Sequence, residues 1–216
     1  MFVSLRILTL PADRFAARDA LIARLGEAAA GLAGVRTSWI APVSPVAVIN
    51  AGHIVWRMTF ETERDALAAP LDPTWRAKIA PLLAEVQLTG VGYRVTRSAV
   101  RQAGAGIWRA LIFRVMPHGF PDAARELEDA TLLFPKFIPA IRSWALSPVS
   151  LVEGPKAFTH VWEQEFDSLQ GLTRDYMQAP IHWGVVDAYF DAEYPQYIVD
   201  PQLIQVVGEI DRTIMA

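Results

Sequence analysis

The sequence predicts an α+β fold in which one βαββαβ unit is used twice. Three observations carry this expectation. The first is an internal echo: Gly34-Val35-Arg36-Thr37-Ser38-Trp39, followed by Pro42-Val43-Ser44-Pro45-Val46, returns as Ala140-Ile141-Arg142-Ser143-Trp144, followed by Pro148-Val149-Ser150-Leu151-Val152. The second is a match of strand-like segments at a constant offset of about 106 residues. LRILTLP from Leu5 to Pro11 parallels LIFRVMP from Leu111 to Pro117, and Ile54-Val55-Trp56 parallels His160-Val161-Trp162. The third is the order of periodicities in each copy: strand, helix, strand, strand, helix, strand. A split βαβ unit on an antiparallel sheet is the ferredoxin-like pattern. One such unit leaves an apolar sheet face uncovered, so two are expected to pack as an intramolecular dimeric α/β barrel.

In the first copy, alternation predicts a strand over Val3–Leu10. An Ala/Leu-rich helix follows over Ala12–Leu32, with Phe15, Leu21, Leu25 and Leu32 at helical spacing and Gly34 ending it. Strands are expected over Val35–Pro42 and Gly52–Thr62, a helix from about Thr74 to Val86, and a strand over Gln87–Thr96. The second copy repeats this with a helix near Asp122–Phe137 and a last strand near Leu203–Glu209. The expected units are a degenerate N-terminal repeat over 1–98 and a C-terminal repeat over 106–216, joined by the Gly/Ala-rich stretch Ser98–Gly106.

Composition narrows the function classes. Hydrophobic residues make up 52% of the 216, ample for a core. A net charge of −3 with dispersed signs gives no basic stripe for nucleic acid. The absence of cysteine excludes disulfides and thiolate metal sites and fits a cytoplasmic protein. No apolar run reaches membrane-spanning length, and the N-terminus reads as a first strand rather than a leader. The seven tryptophans can fill a core or line a pocket for a flat apolar ligand.

The chemistry concentrates between Phe158 and Phe190. Alternation over Phe158–Phe166 puts His160, Trp162 and Gln164 on one face, expected to point to a core, and Val161, Glu163 and Glu165 on the other, expected to meet water. Asp167 and Ser168 supply N-cap chemistry for a helix from Leu169. Pro180 interrupts that helix between Tyr176 and His182. His182 can move a proton near neutral pH, and a tyrosine hydroxyl can orient it or stabilise an oxyanion. On a continuous helix the two would lie about 9 Å apart along the axis, and the break can shorten that. On the strand Ile107–Phe113, alternation places Arg109, Leu111 and Phe113 on one face. The first copy has Ile54 and Trp75 where the second has His160 and His182, so one site per chain is expected, in the C-terminal half.

Phe158-Thr159-His160-Val161, then Glu163, Phe166, Asp167 and Ser168, then Tyr176, Pro180 and His182, resemble the stress-responsive dimeric α/β-barrel (Dabb) domain over roughly Gly106 to Glu209. In that family two chains form the barrel that this chain's tandem is expected to form alone. Similarity to the family's plant polyketide-cyclase members implies a cofactor-free intramolecular aldol cyclisation with Tyr176 and His182 as the catalytic pair, and His160 or Arg109 is expected to stabilise the negative charge that develops. It also implies a pocket lined by Arg109, Leu111, Phe113, Trp144 and Trp162. Those members carry a histidine at the position of Arg109 and an aromatic residue at that of Glu128. Arg109 and Glu128 therefore imply a more polar substrate, or one bearing a phenolate or carboxylate.

The same residues have plainer readings. His182 can cap a helix, Tyr176 can be packing, His160 can be a structural strand histidine, and Arg109 can be a solvated edge residue. The four histidines, His53, His118, His160 and His182, lack the spacing of a metal site, so no metal and no cofactor are expected. There is no Lys-bearing phosphate loop and no Gly-x-Ser-x-Gly elbow. The expected function is a cofactor-independent lyase, cyclase or isomerase acting on an aromatic or polyketide-like small molecule. The alternatives are a non-catalytic binding or assembly protein, or a cofactor-free monooxygenase. No nucleic acid or membrane partner is expected, and the pseudo-dimeric chain is free to pair as a homodimer.

Overall fold

In the computed structural model, residues 1–101, 104–117 and 122–216 are described. His118 and part of the Ser98–Gly106 stretch lie outside them. The strands are β1 (Phe2–Thr9), β2 (Val35–Pro42), β3 (Ile54–Phe60), β4 (Gln87–Arg94), β5 (Arg97–Ala99), β6 (Gly106–Phe113), β7 (Ile141–Glu153), β8 (His160–Phe166) and β9 (Ile204–Ile210). They form one antiparallel sheet in the order β2-β3-β1-β4-β7-β8-β6-β9, with β5 pairing to β7. The fold is α+β and ferredoxin-like in each half.

The sheet curls into a barrel because its two ends meet. Beyond β2 the chain bonds to β9: Ser44 N–H donates to the Val207 carbonyl at 2.8 Å, and Ile49 and Gln205 exchange backbone bonds at 2.9 Å. Gly208 makes that approach possible, since a Cβ there would lie 2.6 Å from the Trp39 ring. At the other junction β7 is long enough to pair with β8 near its start and β4 near its end.

Each sheet therefore has two buried faces. Val3, Leu5 and Ile7 meet Trp108, Ala110, Ile112 and Val161 inside the barrel. Outside it, α1 (Arg18–Ala29) covers the N-terminal sheet. The C-terminal sheet is covered by α4 (Ala123–Thr131), α5 (Phe134–Phe137) and the helical turns after β8. This corrects the expectation for β8: Glu163 and Glu165 do not meet water but are fully buried in the barrel. Burial of two carboxylates requires partners. Glu163 accepts from Arg57 Nε at 2.7 Å and from Trp108 Nε1 at 3.1 Å. Glu165 accepts from Thr213 Oγ1 at 2.7 Å and from Ile214 N–H at 2.8 Å, while Arg57 Nη1 donates to the Ile214 carbonyl at 2.7 Å. The last residues of the chain are thereby tied to one end of the barrel.

Register also revises the internal echo. Trp39 and Leu5 lie opposite Arg57, while Ala145 and Ala110 lie opposite Glu163. Leu5 is thus the counterpart of Ala110, one residue short of the offset expected for the first strands. Trp39 is the counterpart of Ala145 and not of Trp144. A one-residue slip exchanges faces: Trp39 packs edge-on to Trp108 inside the barrel, whereas Trp144 packs with Trp162 on the helix side.

The helices are more broken than their periodicity predicts. The Ala12–Leu32 segment divides into a 3-10 turn, Ala12–Ala17, and α1. An unexpected helix, α2 (Glu63–Ala68), starts at a Thr62–Asp65 capping box. The segment near Thr74–Val86 becomes a π-helical turn, Trp75–Ile79, followed by α3 (Ala80–Leu83). The stretch expected as a linker begins with β5.

Candidate functional site

The helical turns after β8 set the site. Ser168 Oγ caps their start, accepting from Gly171 N–H at 3.2 Å. The chain then makes a π-helical turn, Gly171–Tyr176, breaks at Pro180, and makes a second, His182–Val186. The break folds Tyr176 and His182 together, with ring centroids 4.8 Å apart and an edge-to-face angle of 81°. Phe134 of α5 packs on both rings, at 5.0 Å and 5.5 Å.

Between these turns and the C-terminal sheet lies a cavity of about 280 Å3. Arg109, Leu111 and Phe113 of β6 and Trp162 of β8 form its floor, and Tyr176 and His182 its wall. The structure brings these six sequence-predicted residues together. Among the lining residues that sequence reasoning missed are Asp187, Gln205, Phe134 and Ile49.

Asp187 is the most consequential addition. Its Oδ2 lies 3.2 Å from His182 Nδ1. On an α-helix, residues five apart diverge, because the period is 3.6. The π-helical turn, with its i→i+5 bonding, brings them onto one side. Ile49 enters from the N-terminal half, on the segment bonded to β9.

Arg109 is not a solvated edge residue. It is 2% exposed, and its partners are uncharged: Gln164 Oε1 at 2.6 Å, Gln205 Oε1, and the Tyr176 hydroxyl at 3.4 Å. The guanidinium also lies 5.1 Å from the Tyr176 ring centre. Burial lowers the Arg109 pKa from its ordinary value, opposed by Tyr176 and by Asp187. Burial raises that of the Tyr176 phenol, opposed by Arg109.

Three expected site residues fall outside the cavity lining. His160 stacks on the back of Phe113, centroids 5.2 Å apart, and is held by Thr159 Oγ1 at 2.8 Å and Glu128 Oε1 at 3.0 Å. Glu128 is committed to His160 and to Arg97. Trp144 lies behind Trp162, on a surface groove with Arg97 and Leu132. The reason is shared: Phe113 and Trp162 are large enough to close the floor, so what stands behind them cannot reach the cavity.

His160 is neutral in the folded protein. Burial, assisted by Arg97, lowers its pKa to about 4. Nε2 of the neutral imidazole faces Glu128 Oε1, a carboxylate that Arg97 also holds. The unfolded chain takes up this proton near pH 6.5 and the folded chain only near pH 4. Stability is therefore expected to fall as pH drops through that window, by up to about 3 kcal/mol from this group. Urea denaturation of the wild type and His160→Gln between pH 7 and 4.5 checks this: the variant should lack that part of the slope, and parallel curves would contradict it.

At the matching place in the N-terminal half the aromatic residues pack on one another. Trp75, standing where the other half has His182, stacks on Trp56 at 5.7 Å, and Arg6 covers Trp75 at 4.9 Å. His53 there accepts from Leu10 N–H at 2.9 Å through Nδ1. Among the described residues no three His, Cys, Asp or Glu side chains gather as a metal site, and no helix is long and apolar enough to cross a membrane.

Comparison with known proteins fits this geometry. Residues 107–200, which supply the floor and both helical turns of the site, match the family model of the stress responsive A/B barrel domain. No curated protein matches the chain significantly. Among solved structures, an anthrone oxidase-like protein is similar over 98% of this chain and 92% of its own, with TM-score 0.72 and 13% identity. A candidate monooxygenase from Fusobacterium nucleatum is similar over 98% and 93%, with TM-score 0.62 and 6% identity. A regulator of staphylococcal pathogenesis is similar over 95% and 98%, with TM-score 0.52 and 10% identity. At these identities the likeness is one of fold. It spans both halves of the chain, whereas the A/B barrel domain match covers the half that holds the cavity.

Proposed function

We propose that the A/B barrel domain is the catalytic half of a cofactor-independent acid–base enzyme acting on an aromatic or polyketide-like small molecule. The N-terminal half is then a degenerate repeat that closes the barrel. The observation that carries this reading is the His182–Asp187 pair on the wall of the cavity, facing the Tyr176 hydroxyl and Arg109. With Nδ1–H donated to Asp187, His182 keeps Nε2 as a base, and the carboxylate stabilises the imidazolium that forms. Nε2 would take a proton from carbon next to a carbonyl. The enolate oxygen would be met by the Tyr176 hydroxyl and the Arg109 guanidinium. In an aldol-type cyclisation the enolate carbon attacks a second carbonyl of the same molecule, one C–C bond forms, and the new alkoxide recovers the proton from His182. The reverse sequence cleaves that bond.

Proton abstraction can be tested without the natural substrate. A panel of small aryl ketones, 4-hydroxyphenylacetone among them, is incubated anaerobically in D2O and loss of the α-proton signals is followed by NMR. The protein is expected to accelerate exchange over buffer; no acceleration for any ketone would contradict the reading.

A second reading, cofactor-free oxygenation, draws on the likeness to the anthrone oxidase-like protein. It would begin with the same deprotonation and then use dioxygen, converting a CH2 to a carbonyl with one oxygen atom leaving as water. Oxygen consumption during turnover separates the two.

A further inference from the structure

We propose that the corner of the cavity built by Arg109, Trp162 and Tyr176 is a recognition site for a carboxylate, and that the protein's ligand is a compact aromatic carboxylate. This rests on the cavity described above but not on a catalytic role for His182.

Arg109 is a buried cation without a buried anion. A guanidinium taken out of water is ordinarily matched by a carboxylate, as Arg57 is by Glu163 in this chain. Arg109 is equally deep, yet its recorded acceptors are two amide oxygens and a phenol. Amide dipoles satisfy hydrogen bonds and leave the unit charge unmatched. Among the described residues Nη2 has Gln205 as its only acceptor, so one of its two N–H bonds is free.

Other donors converge there. Trp162 Nε1 is buried beside the Tyr176 hydroxyl with no partner in hydrogen-bond geometry, and that hydroxyl, which accepts from Arg109, keeps its own proton to donate. Asp187 also lines the cavity, but its carboxylate is engaged with His182 and its side chain is 44% exposed, so solvent screens it. Arg109 has no such screening.

The amide partners are fixed rather than adaptable. Gln205 turns its oxygen to Arg109 because its Nε2 donates to the Ala47 carbonyl at 2.7 Å. Ala47 sits at φ 58° in the loop contributed by the N-terminal half. The N-terminal half thus holds the guanidinium in place for a planar, bidentate acceptor. Phe113, Phe134 and Leu111 supply apolar surface for the ring attached to it.

The test is the binding, by tryptophan fluorescence at neutral pH, of benzoate, salicylate and phenylacetate against benzamide, salicylamide and phenylacetamide. At least one acid is expected to bind tenfold or more tightly than its amide. Gln205→Glu, nearly isosteric, would place the missing carboxylate beside Arg109 and should abolish the preference while keeping the fold; Arg109→Gln should abolish it too. The preference is read from binding alone, without turnover, which separates this proposal from the acid–base reading. Acids binding no better than their amides, no binding by any acid, or a preference that survives Gln205→Glu would each overturn it.

Discussion

Replacing His182 with alanine is expected to lower α-proton exchange by about 10²- to 10⁴-fold, the range set by loss of a general base. Asp187→Asn is expected to lower it by at least about tenfold, because the amide can neither fix the Nδ1–H tautomer nor stabilise the imidazolium. Both should leave the fold intact, since neither side chain belongs to a core cluster and His182 is 13% exposed. The paired measurement matters. If His182→Ala slows exchange and Asp187→Asn does not, the dyad is only a contact. If neither slows it, the base lies elsewhere. Unchanged urea midpoints would show that lost activity is not lost structure.

The second large effect is expected inside the barrel. Arg57 and Glu163 lie on the central strands of the two halves and bridge them with no access to solvent. Burial, the largest single influence, would lower the Arg57 pKa; Glu163, together with Tyr93 and Glu165, outweighs it and holds the value above the ordinary one. Removing one partner strands a buried charge, which costs about 3–5 kcal/mol. Arg57→Met is therefore expected to cost that much in urea denaturation and to lower Tm by about 10 °C in a chain of this size. Arg57→Met combined with Glu163→Met should recover most of the loss, because an apolar pair of similar volume escapes the desolvation cost. A single variant as stable as the wild type would show that the two halves are not held through this pair.

Much of this architecture is legible in the sequence, and the failures have physical causes. Alternation and the internal echo give the strands of both halves, with β2 at its observed bounds. They misplace the burial of Glu163 and Glu165, because a strand in a closed barrel has no water face and its alternation marks two different interiors. The echo matches Trp39 to Trp144, which look in opposite directions; both strands carry the same bulge, and the shared Ser–Trp pair stands one residue out of the offset that the strands keep. In the site, Tyr176, His182, Arg109, Leu111, Phe113 and Trp162 are readable from alternation, the Pro180 break and family resemblance. Asp187 is not, because α-helical spacing separates it from His182 and only the π-helical turn reunites them. Gln205 was within reach, since it lies opposite Leu111 on β9. Ile49 was not, because its place depends on how the N-terminal loop crosses to β9. His160, Glu128 and Trp144 carry plausible chemistry on the correct elements, but the size of Phe113 and Trp162 seals them off.

The central claim is that His182, paired with Asp187, works as a base beside a ligand held in this cavity. ¹⁵N NMR of the imidazole, in the wild type and Asp187→Asn, with and without salicylate, tests it most directly. The expected result is a His182 ring protonated at Nδ1 and unprotonated at Nε2, losing that preference in Asp187→Asn and shifting when salicylate binds. A ring that samples both tautomers freely, indifferent to Asp187 and to every compound, would contradict the account and return His182 to the role of a wall residue.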